Sequence, residues 1–251
     1  MSSLENALKI VALLSKDRPV LRVGEVCREL DLPKSSVSRL LKTLSAYDIV
    51  EREPGDTGYA AGRRALLLAD LYTARHNLLD LVDASLDTLT ADFQFACYCA
   101  VLNGADIIII RVKHGSYPLR LVQEIGVPMP AYRTSVGRAL LARKTDAEVL
   151  ALVRSHADEA DSDEAVLAAI AEVRRTGASA TANTVIPGVA ALGVAVHDAK
   201  RNEMLGFSIS YPIAATDEAL RSRMLRRIRE EAHAIGGRSG DAFWLSHDMS
   251  G

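Results

Sequence analysis

The chain has 251 residues, 49% apolar and 25% charged, enough material for one large domain or two ordinary ones with buried cores. A formal net charge of −2 excludes a protein that coats nucleic acid by bulk positive charge, but leaves room for a local basic face. The three cysteines build no disulfide framework. The N-terminus lacks the basic and apolar regions of a secretory leader, and no stretch reaches the roughly 18 apolar residues of a membrane span, so a cytoplasmic location is expected.

The first predicted element is an amphipathic helix over residues 3–15, with Leu4, Ala7, Leu8, Val11 and Leu14 on one stripe. Asp17-Arg18-Pro19 ends it. A short helix over 23–30, a tight Asp31-Leu32-Pro33 turn and a third helix to about Ala46 follow. Two short helices joined by a turn of a few residues form the motif that sets its second helix in the major groove. The third helix divides into faces. Val37, Leu40, Leu41 and Leu44 form a core stripe, while Ser35, Ser38, Arg39 and Lys42 share another side.

The polar side has the chemistry for DNA. Hydroxyls and free N–H groups at a helix start bind phosphate, which brings in Lys34, Ser35 and Ser36. Arginine reads guanine O6 and N7, and lysine reaches phosphate or base. Residues 33–47 hold three cations and no acid, yet residues 1–62 hold nine Lys/Arg and nine Asp/Glu. The basic signal is local. The plain alternative is a helical hairpin whose polar face is only solvated.

Ile49–Arg52 and Gly58–Ala60 read as two short strands around the turn formers of 53–57, a hairpin placed where a wing would be. Arg52 is its candidate phosphate or minor-groove contact; an ordinary surface arginine is the competing view. Residues 62–76 return to helix as a connector.

Beyond residue 78 a helix over about 79–92 precedes strands at Phe95–Leu102, Asp106–Lys113 and Leu119–Glu124. Helices at about 135–144, 145–155 and 163–175 come next, then strands Val189–His197 and Met204–Tyr211, and a charged helix over 217–236. The fold class is α+β. Cys97 and Cys99 share a strand face as small core residues. Arg221, Arg223, Arg226, Arg227 and Arg229 read as the solvated face of the last helix. The six histidines show no metal-ligand spacing, and there is no nucleophile elbow, P-loop or dinucleotide fingerprint. No catalytic residue, metal or cofactor is expected.

Several segments in order resemble the isocitrate lyase regulator (IclR) family of bacterial transcription factors. Residues 32–44, LPKSSVSRLLKTL, are similar to its recognition helix, and Gly58-Tyr59 with Gly62 to the end of its wing. Residues 125–142, IGVPMPAYRTSVGRALLA, keep the spacing of the family's I-G-x-x-x-P-x-x-x-T-A-x-G-K-A-L-L-A. Residues 173–177 (VRRTG), 188–196 (GVAALGVAV) and 208–212 (SISYP) match later family segments.

The resemblance implies a winged helix-turn-helix over 1–62, a linker helix over 63–78 and a GAF-like α/β effector domain over 79–251. It implies homodimers, often paired into dimers of dimers, on double-stranded operator DNA, switched by a small organic effector, frequently a carboxylate or aromatic metabolite. Repression and activation are both open. Carried over, the effector pocket takes Met129, Thr134, Ser135, Gly137, Val189, Ala191, Ser208 and Ser210. The chain departs from the family at Ala191 and Ala195, and between Thr181 and Thr184, where an acid is common; fewer polar anchors remain. Arg133 is a candidate carboxylate partner and Tyr132 a candidate cover for a ring. The rival class is a small-molecule-binding or catalytic α+β protein whose helical N-terminus only dimerises.

Overall fold

A computed structural model describes residues 2–15, 17–52, 55, 57–74, 77–117, 124–155 and 161–247. The chain divides into two units, Met1–Arg75 and His76–Gly251.

In the first unit, helix α1 spans Ser3–Ala12 and opens on a Ser2 cap whose hydroxyl accepts the Glu5 N–H at 3.1 Å. Helices α2 (Val23–Leu30) and α3 (Lys34–Ala46) flank a turn in which Asp31 adopts left-handed φ of 50°. Strands β2 (Val50–Arg52) and β3 (Tyr59–Ala61) form the hairpin; residues 53, 54 and 56 of its turn lie outside the described residues. A strand absent from the sequence reading, β1 (Val20–Leu21), completes a three-stranded sheet of order β1-β3-β2. It has two residues, and its pairing (Val20 with Ala60) is set by chain far away, so local pattern could not show it. Ile10, Leu21, Val26, Val37, Leu41 and Val50 form a closed core. Helix α4 (Arg64–Ala74) ends the unit and exposes Leu66, Leu67, Leu68 and Leu71.

The second unit is a six-stranded antiparallel sheet of order β6-β5-β4-β9-β8-β7, which makes the protein α+β. The strands are β4 (Ala96–Asn103), β5 (Asp106–Lys113), β6 (Pro128–Pro130), β7 (Ser179–Ala182), β8 (Val189–Asp198) and β9 (Glu203–Pro212). Residues 119–123 of the expected 119–124 strand lie outside the described residues, and Glu124 has no strand geometry. Side chains alternate between faces with the two-residue period of a strand. Cys97, Cys99, Leu192, Val194, Phe207 and Ile209 face α5 (Asn77–Phe93) and α9 (Glu218–Ser239). Ala96, Tyr98, Ala100 and Ala195 face α6 (Ser135–Leu141), α7 (Asp146–Arg154) and α8 (Asp163–Thr176). Burial pushes the Cys97 thiol up to about 12 and raises Cys99 as well.

α6 lies unusually close to the sheet, and two glycines permit it. A Cβ on Gly193 would fall 2.6 Å from Ser135 and Val136 backbone atoms; one on Gly206 would fall 2.5 Å from Val136 Cγ2. The chain closes with α10 (Ala242–Ser246), whose Trp244 is fully buried and donates to the Ala195 carbonyl at 2.8 Å. Arg143 and Asp241 pair bidentately beside it, at 3.0 Å on both arms.

Candidate functional site

The recognition surface is built from the faces of α3. Val37, Leu40 and Leu41 are buried and Leu44 half-buried, which turns Lys34, Ser35, Arg39 and Lys42 to solvent and leaves Ser36 and Ser38 half-exposed. Pro33 caps the helix without a side-chain acceptor; its carbonyl accepts the Ser36 N–H at 2.9 Å, and no cap side chain takes the Lys34 and Ser35 N–H groups. Charge is segregated in this unit. Lys9 pairs with Glu5, Arg18 with Glu25 and Glu29, Arg22 with Glu25, and Arg63 with Asp48. Among the described residues, Lys34, Arg39 and Lys42 meet no acid, and the hydroxyls of Ser35, Ser36 and Ser38 make no hydrogen bond. Arg52 is exposed on the hairpin. Its Nε reaches the Tyr59 hydroxyl at 3.4 Å, and its guanidinium sits 5.5 Å from the centre of that ring.

A second constellation lies between α6, β7, β8 and β9. In the register, Ala191 stands opposite both Ser210 and Thr181, and Gly193 opposite Ser208, all on the α6 side of the sheet. Small residues there leave a cavity of about 30 Å³ lined by Thr134, Ser135, Thr181, Val189, Ala191, Ser208 and Ser210, among others. That is room for a water, not for an organic molecule. Ser135, Thr181, Ser208 and Ser210 are buried, and among the described residues none of their hydroxyls has a partner. These hydroxyl oxygens are not sealed from solvent but open into the cavity, so its lining is polar. Thr134 is different: its Oγ1 accepts the Gly137 N–H at 3.0 Å and donates to the Ala131 carbonyl at 3.1 Å, capping α6.

The cavity wall is completed by the loop over 183–188. Asn183 takes left-handed φ of 60° and accepts the Gly188 N–H at 2.7 Å. Two guanidinium nitrogens of Arg133 donate to the Thr184 carbonyl, at 3.1 and 2.6 Å, and latch the loop.

Two residues of the expected pocket lie elsewhere. Met129 sits on β6, opposite Ile107 and against the α6–α8 core, at the far end of the strand order. Gly137 lies against the Ala131 backbone, where a Cβ would come within 2.0 Å, so its role is close packing. Tyr132 does not cover the cavity; it stacks on Arg138 at 4.4 Å and donates to Asp161. Of the five arginines read as solvated on the last helix, Arg229 is buried because it sits on the side of α9 that packs inward with Ile228 and Ala232.

Comparison with known proteins comes from both sequence and fold. Residues 70–236 match the family model "Bacterial transcriptional regulator IclR C-terminal", and residues 3–54 match the IclR helix-turn-helix domain. The chain is 25% identical over 250 residues to the transcriptional repressor IclR of Escherichia coli, covering 94% of this chain and 91% of that one. It is 22% identical over 242 residues to the E. coli regulator XynR, covering 94% of both. The fold is similar to an IclR regulator from Alicyclobacillus acidocaldarius, with a TM-score of 0.81 at 20% identity and 95% and 98% coverage. It is equally similar to an IclR homologue from Microbacterium hydrocarbonoxydans complexed with 4-hydroxybenzoate, with a TM-score of 0.81 at 17% identity and 96% and 100% coverage.

Proposed function

The chain belongs to the IclR family of bacterial transcriptional regulators, and from that premise we propose that α3 enters the major groove of operator DNA while the cavity under the 183–188 loop takes a small organic effector. The observation that carries the DNA half is the acid-free face of Lys34, Arg39 and Lys42 in a unit whose other paired cations sit against carboxylates. Anions hold such a surface better than water does, and a duplex supplies them in register. Arg39 reads a base edge; Lys34, Ser35, Ser36, Ser38 and Lys42 fix the helix on the backbone or adjoining edges; Arg52 touches phosphate from the wing.

Two copies act together in the cytoplasm. The exposed leucines of α4 supply the apolar strip that a second copy covers. Paired readers contact half-sites about one helical turn, roughly 34 Å, apart, so a small change in helix separation weakens both contacts. Selection of bound sequences from a random duplex pool tests this directly. Enrichment of a site with two related halves is expected; absence of enrichment overturns it in favour of the ligand-binding rival.

The effector half rests on the hydroxyls that open into the cavity without a protein partner among the described residues. At about 30 Å³ the cavity is too small for an effector, against the several hundred Å³ of an occupied small-molecule site. Effector entry therefore displaces the 183–188 loop and breaks the Arg133–Thr184 latch. Released from the Thr184 carbonyl, Arg133 is placed to pair with a carboxylate while Ser208 and Ser210 bond its polar groups. The ligand shifts a population between two arrangements rather than carrying out chemistry. Calorimetric titration with aromatic and aliphatic acids tests it; heat that Ser208→Val/Ser210→Val abolishes is expected, and heat unchanged in that variant contradicts the placement.

A further inference from the structure

We propose that the groove beside β7, the end strand of the sheet, is a second ligand site, built for a small organic oxyanion and separate from the hydroxyl-lined cavity. The groove holds about 580 Å³, the scale of a small-molecule site. Its walls come from α6, α8, α9 and β7, and they carry Arg138, Arg175 and Arg229 against one carboxylate, Glu172. Glu172 is committed. It takes Arg175 bidentately, Nε to Oε2 at 2.9 Å and NH2 to Oε1 at 2.6 Å. Glu172 answers Arg175, which leaves the Arg138 guanidinium as the uncommitted cation on which the site rests.

Arg138 is fixed before any ligand arrives. Its Nε donates to the Tyr132 carbonyl at 2.7 Å, and its guanidinium stacks 4.4 Å from that ring. Among the described residues its terminal nitrogens find no acceptor. A planar fork held at one end and open at the other matches the paired oxygens of a carboxylate or phosphate.

The end strand adds a neutral donor. Asn183 N–H bonds the Val189 carbonyl at 2.8 Å, continuing the β7–β8 register in which Thr181 faces Ala191 and Ser179 faces Gly193. Hydrogen-bonded positions alternate along an antiparallel pair. The N–H and C=O of Ala180, which lines the groove, therefore point away from β8. Val173 and Leu225 form an apolar wall for the organic part of the ligand. The hydroxyl-lined cavity, by contrast, has no charged lining residue. Consecutive residues divide the labour: Thr181 lines the cavity and Ala180 the groove.

Two-dimensional amide NMR of the full-length ¹⁵N-labelled protein tests this, with 3-phenylpropionate, phenyl phosphate and the uncharged 3-phenylpropanol as probes. The expected result is a saturable shift of the Ala180 amide with both anions and none with the alcohol. Whichever anion binds tighter identifies the carboxylate or phosphate source. The response is retained in Ser210→Val, and Arg138→Gln weakens it about ten-fold or more, the scale of one charge-assisted contact. The amide spectrum reports whether that variant folds; if it does not, Arg138→Lys keeps the charge, loses the fork and reads the same contact. An unmoved Ala180 amide, an equal response to the alcohol, undiminished binding without the Arg138 fork, or shifts confined to the Ser208 and Ser210 amides would each overturn the site. So would a response only to an extended acidic glutamate–valine peptide, which would mean strand addition to β7 instead.

Discussion

Lys34, Arg39 and Lys42 differ from Lys9, Arg18, Arg22 and Arg63 in what surrounds them. Arg18 and Arg63 each face a carboxylate, so their charge is answered inside the chain. The α3 cations are exposed and meet no acid among the described residues. Removing a phosphate contact lowers affinity evenly across sequences, so Lys34→Ala should reduce the slope of log affinity against log salt by about 1, measured by fluorescence anisotropy on two unrelated duplexes. In the second unit, Arg143 and Asp241 form a buried pair. Burial pulls the Arg143 guanidinium below its ordinary value, and Asp241 pulls it back. Asp241 also accepts the His197 and Phe243 N–H groups, tying α10 to the sheet. Asp241→Ala strands the guanidinium and should cost about 3–5 kcal/mol in denaturant unfolding. The thiols are a milder case. Cys97 and Cys99 are buried and held protonated, so an aromatic disulfide reagent should modify only Cys27 until the protein unfolds.

Elements differ in how plainly the sequence announces them. α2 and α3 were legible to the residue, because each carries an apolar stripe on one side and a turn former at its end. β5 was equally plain, as an apolar run between polar ends. β7 was not: Ser179–Ala182 is four small residues whose alternation is inverted, with Ser179 and Thr181 buried and Ala180 and Ala182 exposed, and it is a strand because β8 offers it partners. β6 is two prolines around Met129, a composition that suits only an end strand. α10 has five residues, too few to show a helical period, and is held by Trp244 and Asp241. α4 makes the clearest demand on a partner. Leu66→Asp combined with Leu71→Asp should leave each unit folded, convert the protein to a monomer in sedimentation and lower operator affinity about ten-fold or more, since one half-site then binds alone. A dimer of unchanged mass would move the interface elsewhere.

At the scale of the whole molecule, the order of the longer elements was readable from periodicity and turn chemistry, and the family from several segments in sequence. The candidate pocket was readable in part. Ser208, Ser210, Ala191 and Val189 converge with Thr134 and Ser135 because strand alternation puts them on one face. Met129 could not be placed from spacing, since its distance from the cavity depends on the strand order of the finished sheet. The small cavity volume, the Arg133 latch and the basic groove beside β7 depend on side chains from elements far apart in the chain, and no local pattern carries them. The most direct measurement is the affinity of Arg39→Ala for the selected operator and for an unrelated duplex of equal length, in the same salt. An arginine that reads a base edge contributes about 1–3 kcal/mol of discrimination. The operator should therefore lose about ten-fold or more while the unrelated duplex changes far less, with the fold unaltered by circular dichroism. Equal affinity of the variant and the parent for the operator would contradict insertion of α3 into the groove.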